Sequence, residues 1–118
     1  MPWNVVFHAA FEGEFAELPL GVREELVAAA TLLASYGPML GRPHADTLAG
    51  SKHANMKELR FSADEGVWRV AFAFDPKRRG ILLVAGDKAG VAQRRFYKAL
   101  IARADARFTG HLETLKED

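Results

Sequence analysis

Two arginines and one glutamate occupy matching positions on neighbouring predicted strands. Between residues 67 and 74, large apolar side chains alternate with Arg69 and two alanines, so Arg69 points away from the apolar side. In residues 56–61, Leu59 points toward the core, which places Glu58 and Arg60 on the same side as Arg69. Side chains on adjacent strands lie about 5 Å apart when opposite and about 7–8 Å apart when diagonal.

Two arginines at that spacing repel each other unless a negative charge lies between them. Glu58 could supply this charge, which would make an exposed Arg–Glu–Arg cluster that contributes little to stability. A bound anion could supply it instead, because a guanidinium group donates paired hydrogen bonds to phosphate or carboxylate oxygens. The residues alone leave both interpretations open.

Charge is unevenly distributed along the chain, although the formal net charge is only +1. Residues 1–50 carry a net charge of −4, residues 51–110 carry +7, and residues 111–118 carry −2. A basic second half is typical of a surface that faces a polyanion such as nucleic acid. An ordinary charged surface gives the same totals, so charge alone does not decide the function.

The length of 118 residues is that of one domain, and we expect residues 1–118 to fold as a single unit. The chain has no cysteine, which excludes disulfides, thiol nucleophiles and cysteine-ligated zinc. Its four histidines show no ligand spacing, so we expect neither a metal nor another cofactor. The sequence lacks both a membrane-spanning apolar run and a signal-peptide pattern, and we expect a cytoplasmic protein with no membrane partner.

The elements that position these residues follow from periodicity and from turn residues. Residues 3–8 have the composition of a strand, and the apolar spacing that follows predicts a short helix that Pro19 interrupts. Residues 21–36 predict a second helix, which stops at Gly37. Residues 38–54 contain several glycines and prolines and predict a loop of a length that is often functional.

The second half predicts three antiparallel strands over residues 56–61, 67–74 and 81–85, followed by a helix over residues 91–115. This order predicts an α+β fold with a twisted, mainly antiparallel sheet, an N-terminal helical hairpin and a C-terminal helix. We expect all helices on one face of the sheet, which would leave the face with the two arginines open.

Four segments of the second half carry a resemblance to a known family. They are SKHANMKELR at 51–60, WRVAFAFD at 68–75, LVAGDK at 83–88 and RFY at 95–97. In this order and spacing they resemble the RelE/ParE superfamily of type II toxins, and within it the HigB-like, phage Gp49-like branch. The resemblance covers most of the chain from Asp46 onward and implies a small RelE-like domain.

The resemblance implies a toxin of a type II toxin–antitoxin system that inhibits translation and arrests growth as a metal-independent, ribosome-dependent messenger RNA endoribonuclease. Basic residues on the concave sheet face of such toxins bind the RNA backbone and assist attack by the ribose 2′-hydroxyl on the adjacent phosphate. Under this resemblance Arg60 and Arg69 stabilise the charge of the phosphorane, since arginine does not release its proton. Lys88 becomes a candidate proton donor or acceptor, because a lysine ammonium group, unlike a guanidinium, can exchange a proton in an active site.

A further group of residues consists of weaker candidates for RNA binding: Lys52, His53, Lys57, Arg78, Arg79 and Tyr97. A histidine side chain can act as an acid or a base, but we favour a role for His53 in ordering its loop. Lys57 shares the parity of core-facing residues, unless the strand bends at its start. Arg78 and Arg79 lie on a predicted hairpin turn and either clamp ribosomal RNA or are solvated. Tyr97 also fits the apolar stripe of the last helix.

The implied partners are a HigA-like helix-turn-helix antitoxin, the ribosome and messenger RNA, with operator DNA contacted only through the antitoxin. Two other functions from the same superfamily stay open at this point. One is a ParE-like inhibitor of DNA gyrase without catalysis, and the other is a degenerate toxin that acts as a corepressor with its antitoxin. Arg60, Arg69 and Lys88 favour the nuclease over both, because a cationic face suits RNA cleavage.

Overall fold

The computed structural model describes residues 2–116 of the chain. In chain order the elements are β1 Asn4–Phe7, α1 Ala9–Ala16, α2 Leu20–Tyr36, a 3-10 turn Gly37–Met39, β2 Ala45–Thr47, β3 Lys57–Ala63, β4 Gly66–Phe74, β5 Arg79–Asp87 and α3 Gln93–Lys116. The predicted α+β class, with its helical hairpin and C-terminal helix, is confirmed. None of the helices in the described part is long and apolar enough to cross a membrane.

Local chemistry sets the ends of the two N-terminal helices. The His8 ring caps α1, because its Nδ1 accepts a hydrogen bond from the Ala10 amide at 3.0 Å. α2 begins after Pro19 and is capped at its C-terminal end by Gly37, which adopts a φ of 57°. A Cβ at Gly37 would collide with the Trp3 indole. Glycine therefore lets the start of the chain lie against the end of α2.

The five strands lie in the order β1-β5-β4-β3-β2, with β1 parallel to β5 and the other pairs antiparallel. Arg60 lies directly opposite Arg69 in the β3–β4 register, and Asp46 lies opposite Glu58 in the β2–β3 register. The predicted loop over residues 38–54 is wrong in part, since it contains the 3-10 turn and β2. A three-residue strand is too short to show alternation in a sequence.

Helices cover both faces of the sheet, so the prediction that they share one face is wrong. α1 and α2 pack on one face against Leu59, Val70 and Phe72. α3 packs on the opposite face, where Phe96 and Leu100 meet the two alanines of β4. Alternation along β4 correctly separated the two sets of side chains. It gave no sign that the alanine side is shallow enough for a helix to pack closely on it.

Arg107 of α3 connects the helices on the two faces of the sheet, next to β5. Arg107 donates hydrogen bonds to the Leu83 carbonyl at 2.7 Å and to the Glu14 carboxylate of α1 at 2.8 Å. The last β1–β5 pair joins Phe7 to Leu82, so Arg107 satisfies a carbonyl just beyond the reach of β1. The hydrogen bond from Arg107 lowers the pKa of Glu14, although burial opposes this shift.

Asp75 organises the β4–β5 hairpin at the other end of the sheet. Its fully buried carboxylate accepts the Lys77 and Arg79 amides at 2.9 Å and the Arg79 guanidinium at 2.9 Å, and it lies 2.8 Å from His111 Nε2. Burial raises the pKa of this carboxyl, but the hydrogen bonds from His111 and Arg79 outweigh burial and lower the pKa overall. The carboxylate therefore ties the hairpin to the C-terminal half of α3.

We expect Asp75→Asn to lower the free energy of unfolding by about 1–3 kcal/mol at neutral pH, because an amide pairs poorly with Arg79 and His111. A carboxyl with a lowered pKa stabilises the fold above its ordinary pKa, and this contribution is lost as the pH falls through the folded-state pKa. The stability difference between wild type and variant should therefore shrink below about pH 4. Urea unfolding at neutral and acidic pH measures this difference.

Glu24→Gln is the matched control, since it removes an exposed carboxylate of α2. Its effect on stability should be within about 0.5 kcal/mol at neutral pH. A stability difference for Asp75→Asn that does not change with pH would contradict the role assigned to the buried carboxylate.

Candidate functional site

A polar cleft lies between β2, the end of β5 and the first turns of α3. Its volume is about 410 Å³, and its charged and hydroxyl-bearing lining includes Arg42, Asp46, Glu58, Arg60, Lys88 and Tyr97. Three cations and two carboxylates thus face one volume, which we call the polar cleft. Among residues 2–116, no three His, Asp or Glu side chains are grouped so that they could hold a metal ion.

Strand register brings Arg60 and Lys88 to the same end of the sheet. Arg60 lies opposite Arg69 on β4, and Lys88 follows the last residue of β5. The Lys88 amide donates to the Val67 carbonyl at 2.8 Å, which extends the β4–β5 ladder by one residue. Lys88 Nζ lies 5.7 Å from the centre of the Tyr97 ring, within the range of a cation–π contact. The structure therefore brings Arg60, Lys88 and Tyr97 into one cleft.

Glu58 lies between the two opposed arginines. Its Oε2 is 3.5 Å from Arg60 Nη1, and its Oε1 is 3.8 Å from Arg69 Nε. The Glu58 side chain is only 5% exposed, and its Oε1 accepts no hydrogen bond from any residue in the described part of the chain. Desolvating a carboxylate oxygen without a hydrogen bond is costly. The attraction of two guanidinium groups must offset that cost.

Asp46 is the second carboxylate near Arg60, and it connects Arg60 to a third arginine. Its Oδ2 lies 3.5 Å from Arg60 Nη1 and 2.7 Å from Arg42 Nη2. The hydrogen bonds from Arg42 and from the Thr47 amide lower the pKa of Asp46. Arg60 therefore meets both of its carboxylates at a distance longer than a good hydrogen bond. Its guanidinium keeps room for another anion.

Arg69 does not lie on an open face, so that part of the sequence interpretation is wrong. Its side chain is only 7% exposed, because the first turns of α3 cover it. Its Nε donates to the Tyr97 hydroxyl at 3.2 Å, and its Nη1 donates to the Trp68 carbonyl at 2.8 Å. Burial raises the pKa of Tyr97, the nearby Glu58 carboxylate raises it further, and Arg69 opposes both. Arg69 thus lies below the cleft and holds Tyr97 in place.

Lys57 lies on the side of β3 opposite to Arg60, as its parity indicated. Its Nζ donates to the Pro38 carbonyl at 3.0 Å, which fixes the 3-10 turn after α2. Lys57 therefore does not enter the polar cleft.

Lys52 and His53 lie against the middle of α3, away from the polar cleft. The Lys52 amide donates to the Asp105 carboxylate at 3.1 Å. The His53 ring lies 2.9 Å from the Thr109 hydroxyl and 5.0 Å from the Phe108 ring centre. Since α3 rises about 1.5 Å per residue, these contacts lie about 12 Å or more beyond Tyr97. The contacts favour the loop-ordering role for His53.

Arg78 and Arg79 lie at the opposite end of β5 from Lys88. The nine residues of β5 separate the two ends by about 25–30 Å. The Arg78 guanidinium lies 4.6 Å from the centre of the Trp3 ring, and Arg79 pairs with Asp75 at 2.9 Å. Both arginines therefore contact residues next to the β4–β5 hairpin turn and do not contribute to the polar cleft.

Arg42 and Asp46 are the residues of the cleft that sequence reasoning missed. Both fall in the segment predicted as a loop, where no alternation assigns a side chain to a face. The unusual length of that loop was the one available signal, because long segments of this kind are often functional.

Comparison with known proteins places the chain in a family. Residues 13–109 match the sequence profile described as "Phage derived protein Gp49-like (DUF891)". HigB2 of Mycobacterium tuberculosis, a protein named as a toxin, is 44% identical over 95 residues, which are 80% of this chain and 47% of HigB2. HigB3 of the same organism, also named as a toxin, is 42% identical over 103 residues, which are 87% of this chain and 88% of HigB3. The chain thus spans about half of HigB2 and most of HigB3.

A solved structure supports the same assignment at the level of fold. An arginine double mutant of E. coli toxin RelE in the free state superposes with a TM-score of 0.57. The two chains share 14% identity, and the match covers 86% of this chain and 96% of the other. These sequence matches confirm the resemblance drawn from the four sequence segments, and the RelE structure shows the same fold. The chain belongs to the Gp49-like family as a HigB-like member.

Proposed function

We propose that this chain is the toxin of a type II toxin–antitoxin pair and that it cleaves messenger RNA on the ribosome. The observation that carries the proposal is the polar cleft, where Arg60 contacts its two carboxylates only at 3.5 Å and is 28% exposed. An RNA phosphate could reach this guanidinium without displacing a tight ion pair. The toxin names of HigB2 and HigB3 support the first half of the proposal.

In the proposed reaction the ribose 2′-oxygen attacks the adjacent phosphorus and the bond from phosphorus to the 5′-oxygen breaks. The products are a 2′,3′-cyclic phosphate and a 5′-hydroxyl end. One proton leaves the 2′-hydroxyl and one reaches the 5′-oxygen, so the protons balance. Lys88 is the proposed proton donor, and the carboxylates of the polar cleft are the groups able to accept the 2′ proton.

Arg60 is the proposed stabiliser of the extra negative charge that the phosphorane carries. Its guanidinium faces the cleft, and charge that develops in the transition state is stabilised best by donors already in position. Arg69 is buried, so its role changes from a stabiliser of the phosphorane charge to a positioning residue that orients Tyr97 and neutralises Glu58. Tyr97 offers one ring face to Lys88 and lines the cleft, where an RNA base could stack on it.

The proposed partners follow from the same function. A HigA-like helix-turn-helix antitoxin would neutralise the toxin and carry the contacts to operator DNA. The ribosome would present the messenger RNA. Glu14 is already paired with Arg107, which leaves the exposed Glu12, Glu17, Glu24 and Glu25 of the N-terminal half to meet a basic antitoxin surface.

Arg60→Ala and Lys88→Ala should each lower the rate of messenger RNA cleavage by about 100-fold, because each removes a group that acts on the transition state. Both side chains line an open cleft, so the free energy of unfolding should change by less than about 1 kcal/mol. Primer extension on messenger RNA in a reconstituted translation system measures cleavage. Arrest of growth after induction in cells gives a second readout.

Arg103→Ala is the matched control, because Arg103 is an exposed arginine of α3 outside the polar cleft. It should cleave at the wild-type rate. Full cleavage by the Arg60→Ala/Lys88→Ala double variant would falsify the assignment of the cleft. Intact messenger RNA together with loss of gyrase supercoiling would instead favour the ParE-like alternative.

Glu58→Ala should lower the free energy of unfolding by about 3 kcal/mol, because it leaves the buried Arg69 unpaired and directly opposite Arg60. Adding Arg69→Met should recover part of this loss, since a long apolar side chain fills the same space without a charge. Asp46→Ala is the control, because it removes the more exposed carboxylate near Arg60 and should cost less than about 1 kcal/mol. Urea unfolding measures all three, and a Glu58→Ala variant as stable as wild type would contradict the role of Glu58.

A further inference from the structure

Two large apolar side chains are exposed at the end of α2, next to the polar cleft. Tyr36 is 57% exposed and Met39 is 86% exposed. Together with Leu32, Leu40 and His44 they surround a shallow depression of about 260 Å³. Single exposed apolar side chains are common on protein surfaces, but neighbouring ones that line one depression form a patch of the kind that marks interaction sites.

Hydrogen bonds fix the backbone of the 3-10 turn that lines the depression. The Lys57 ammonium group holds the Pro38 carbonyl at 3.0 Å, and the Leu40 amide donates to the Gly37 carbonyl at 3.1 Å. Leu40 itself is buried among the core residues of α2 and β4. Met39 therefore projects from a fixed turn and not from a free loop.

The depression is continuous with the polar cleft. Arg42 lines both, and the Arg60 amide donates to the His44 carbonyl at 2.9 Å. The Arg42 guanidinium is 74% exposed and pairs only with Asp46 in the described structure. A strand with a phosphate in the cleft can therefore extend over Arg42 to the depression beside Tyr36.

We propose that Tyr36, Met39 and His44 form a nucleobase platform for the RNA strand whose phosphate lies in the polar cleft. The proposal rests on the proposed function and adds a second subsite to it. Single-stranded nucleic acid is bound by cationic grooves combined with flat apolar side chains on which bases stack. Arg42 beside the platform suits the backbone of such a strand. A protein partner is less well matched, because only two of the large apolar side chains that line the patch are exposed and a cation flanks it.

The test uses a short single-stranded RNA with 2′-O-methyl groups, which the toxin cannot cleave, and a matched RNA that is abasic at one position. Fluorescence anisotropy gives the Kd of the full chain for each. Tyr36→Ala should weaken binding of the complete RNA by about 10-fold, as expected for the loss of one stacked base. Tyr36→Phe should bind as wild type does, and Met39→Ala should show a smaller loss. With the abasic position over the platform, Tyr36→Ala and wild type should bind equally.

Val27→Ala is the matched control, because Val27 is a 50% exposed apolar residue on the same helix and does not line the depression. The slope of binding against salt gives a further distinction. Arg60→Ala should reduce that slope by about one ion, whereas Tyr36→Ala should leave it unchanged. Tyr36 is exposed, so circular dichroism and urea unfolding should show an intact fold.

The possible outcomes separate the platform from the nuclease. Wild-type affinity of Tyr36→Ala for the complete RNA overturns the platform and leaves the proposed cleavage standing. Tyr36-dependent RNA binding by a chain that cleaves no messenger RNA supports the platform and overturns the nuclease. Absence of RNA binding by the wild type overturns the platform, whereas only a failure to cleave messenger RNA in the reconstituted translation system overturns the nuclease. If Tyr36→Ala weakens the antitoxin complex and spares RNA binding, the surface serves a protein partner and the platform is wrong.

Discussion

The register of β3 and β4 places Arg60 directly opposite Arg69. The site depends on how the repulsion between these two positive charges is compensated. Like charges at such positions destabilise a sheet unless a carboxylate compensates them. Glu58 provides that compensation from within β3, and the β2–β3 register adds Asp46 beside Arg60. Holding two arginines side by side therefore requires three correctly registered strands, and a one-residue slip would send every one of these side chains to the wrong face.

The position of α3 then makes the two arginines unequal. The alanine side of β4 lets the helix lie close to the sheet, and Tyr97 comes down over Arg69. Arg69 is consequently fixed by hydrogen bonds to Tyr97 and to the Trp68 carbonyl. α3 does not cover Arg60, whose guanidinium lies 3.5 Å from the carboxylates of Asp46 and Glu58. One arginine supports the site from below, while the other stays available to an anion.

Strand alternation predicted which side chains share the face of this site, but it did not predict that α3 covers part of that face. The parity of β3 and β4 correctly placed Glu58, Arg60 and Arg69 on one face and Lys57 on the other, because a period of two is a strict geometric constraint. The apolar stripe of α3 predicted a helix without indicating which face of the sheet it covers, so the burial of Arg69 was missed. The Arg42–Asp46 pair was not predicted, because β2 has only three residues and shows no alternation.

The carboxylates that make the arginines compatible also limit how strongly the polar cleft can attract RNA. Its three cations face two carboxylates, so the cleft offers a net charge of only about +1 to a phosphate. A phosphate that approaches Arg60 must also share the guanidinium with Asp46 and Glu58. Electrostatic attraction of this size raises the association rate of the RNA more than it raises the affinity. Tight binding of an RNA strand therefore requires contacts that do not depend on charge, and the exposed ring of Tyr36 beside Arg42 is the surface next to the cleft that can supply them.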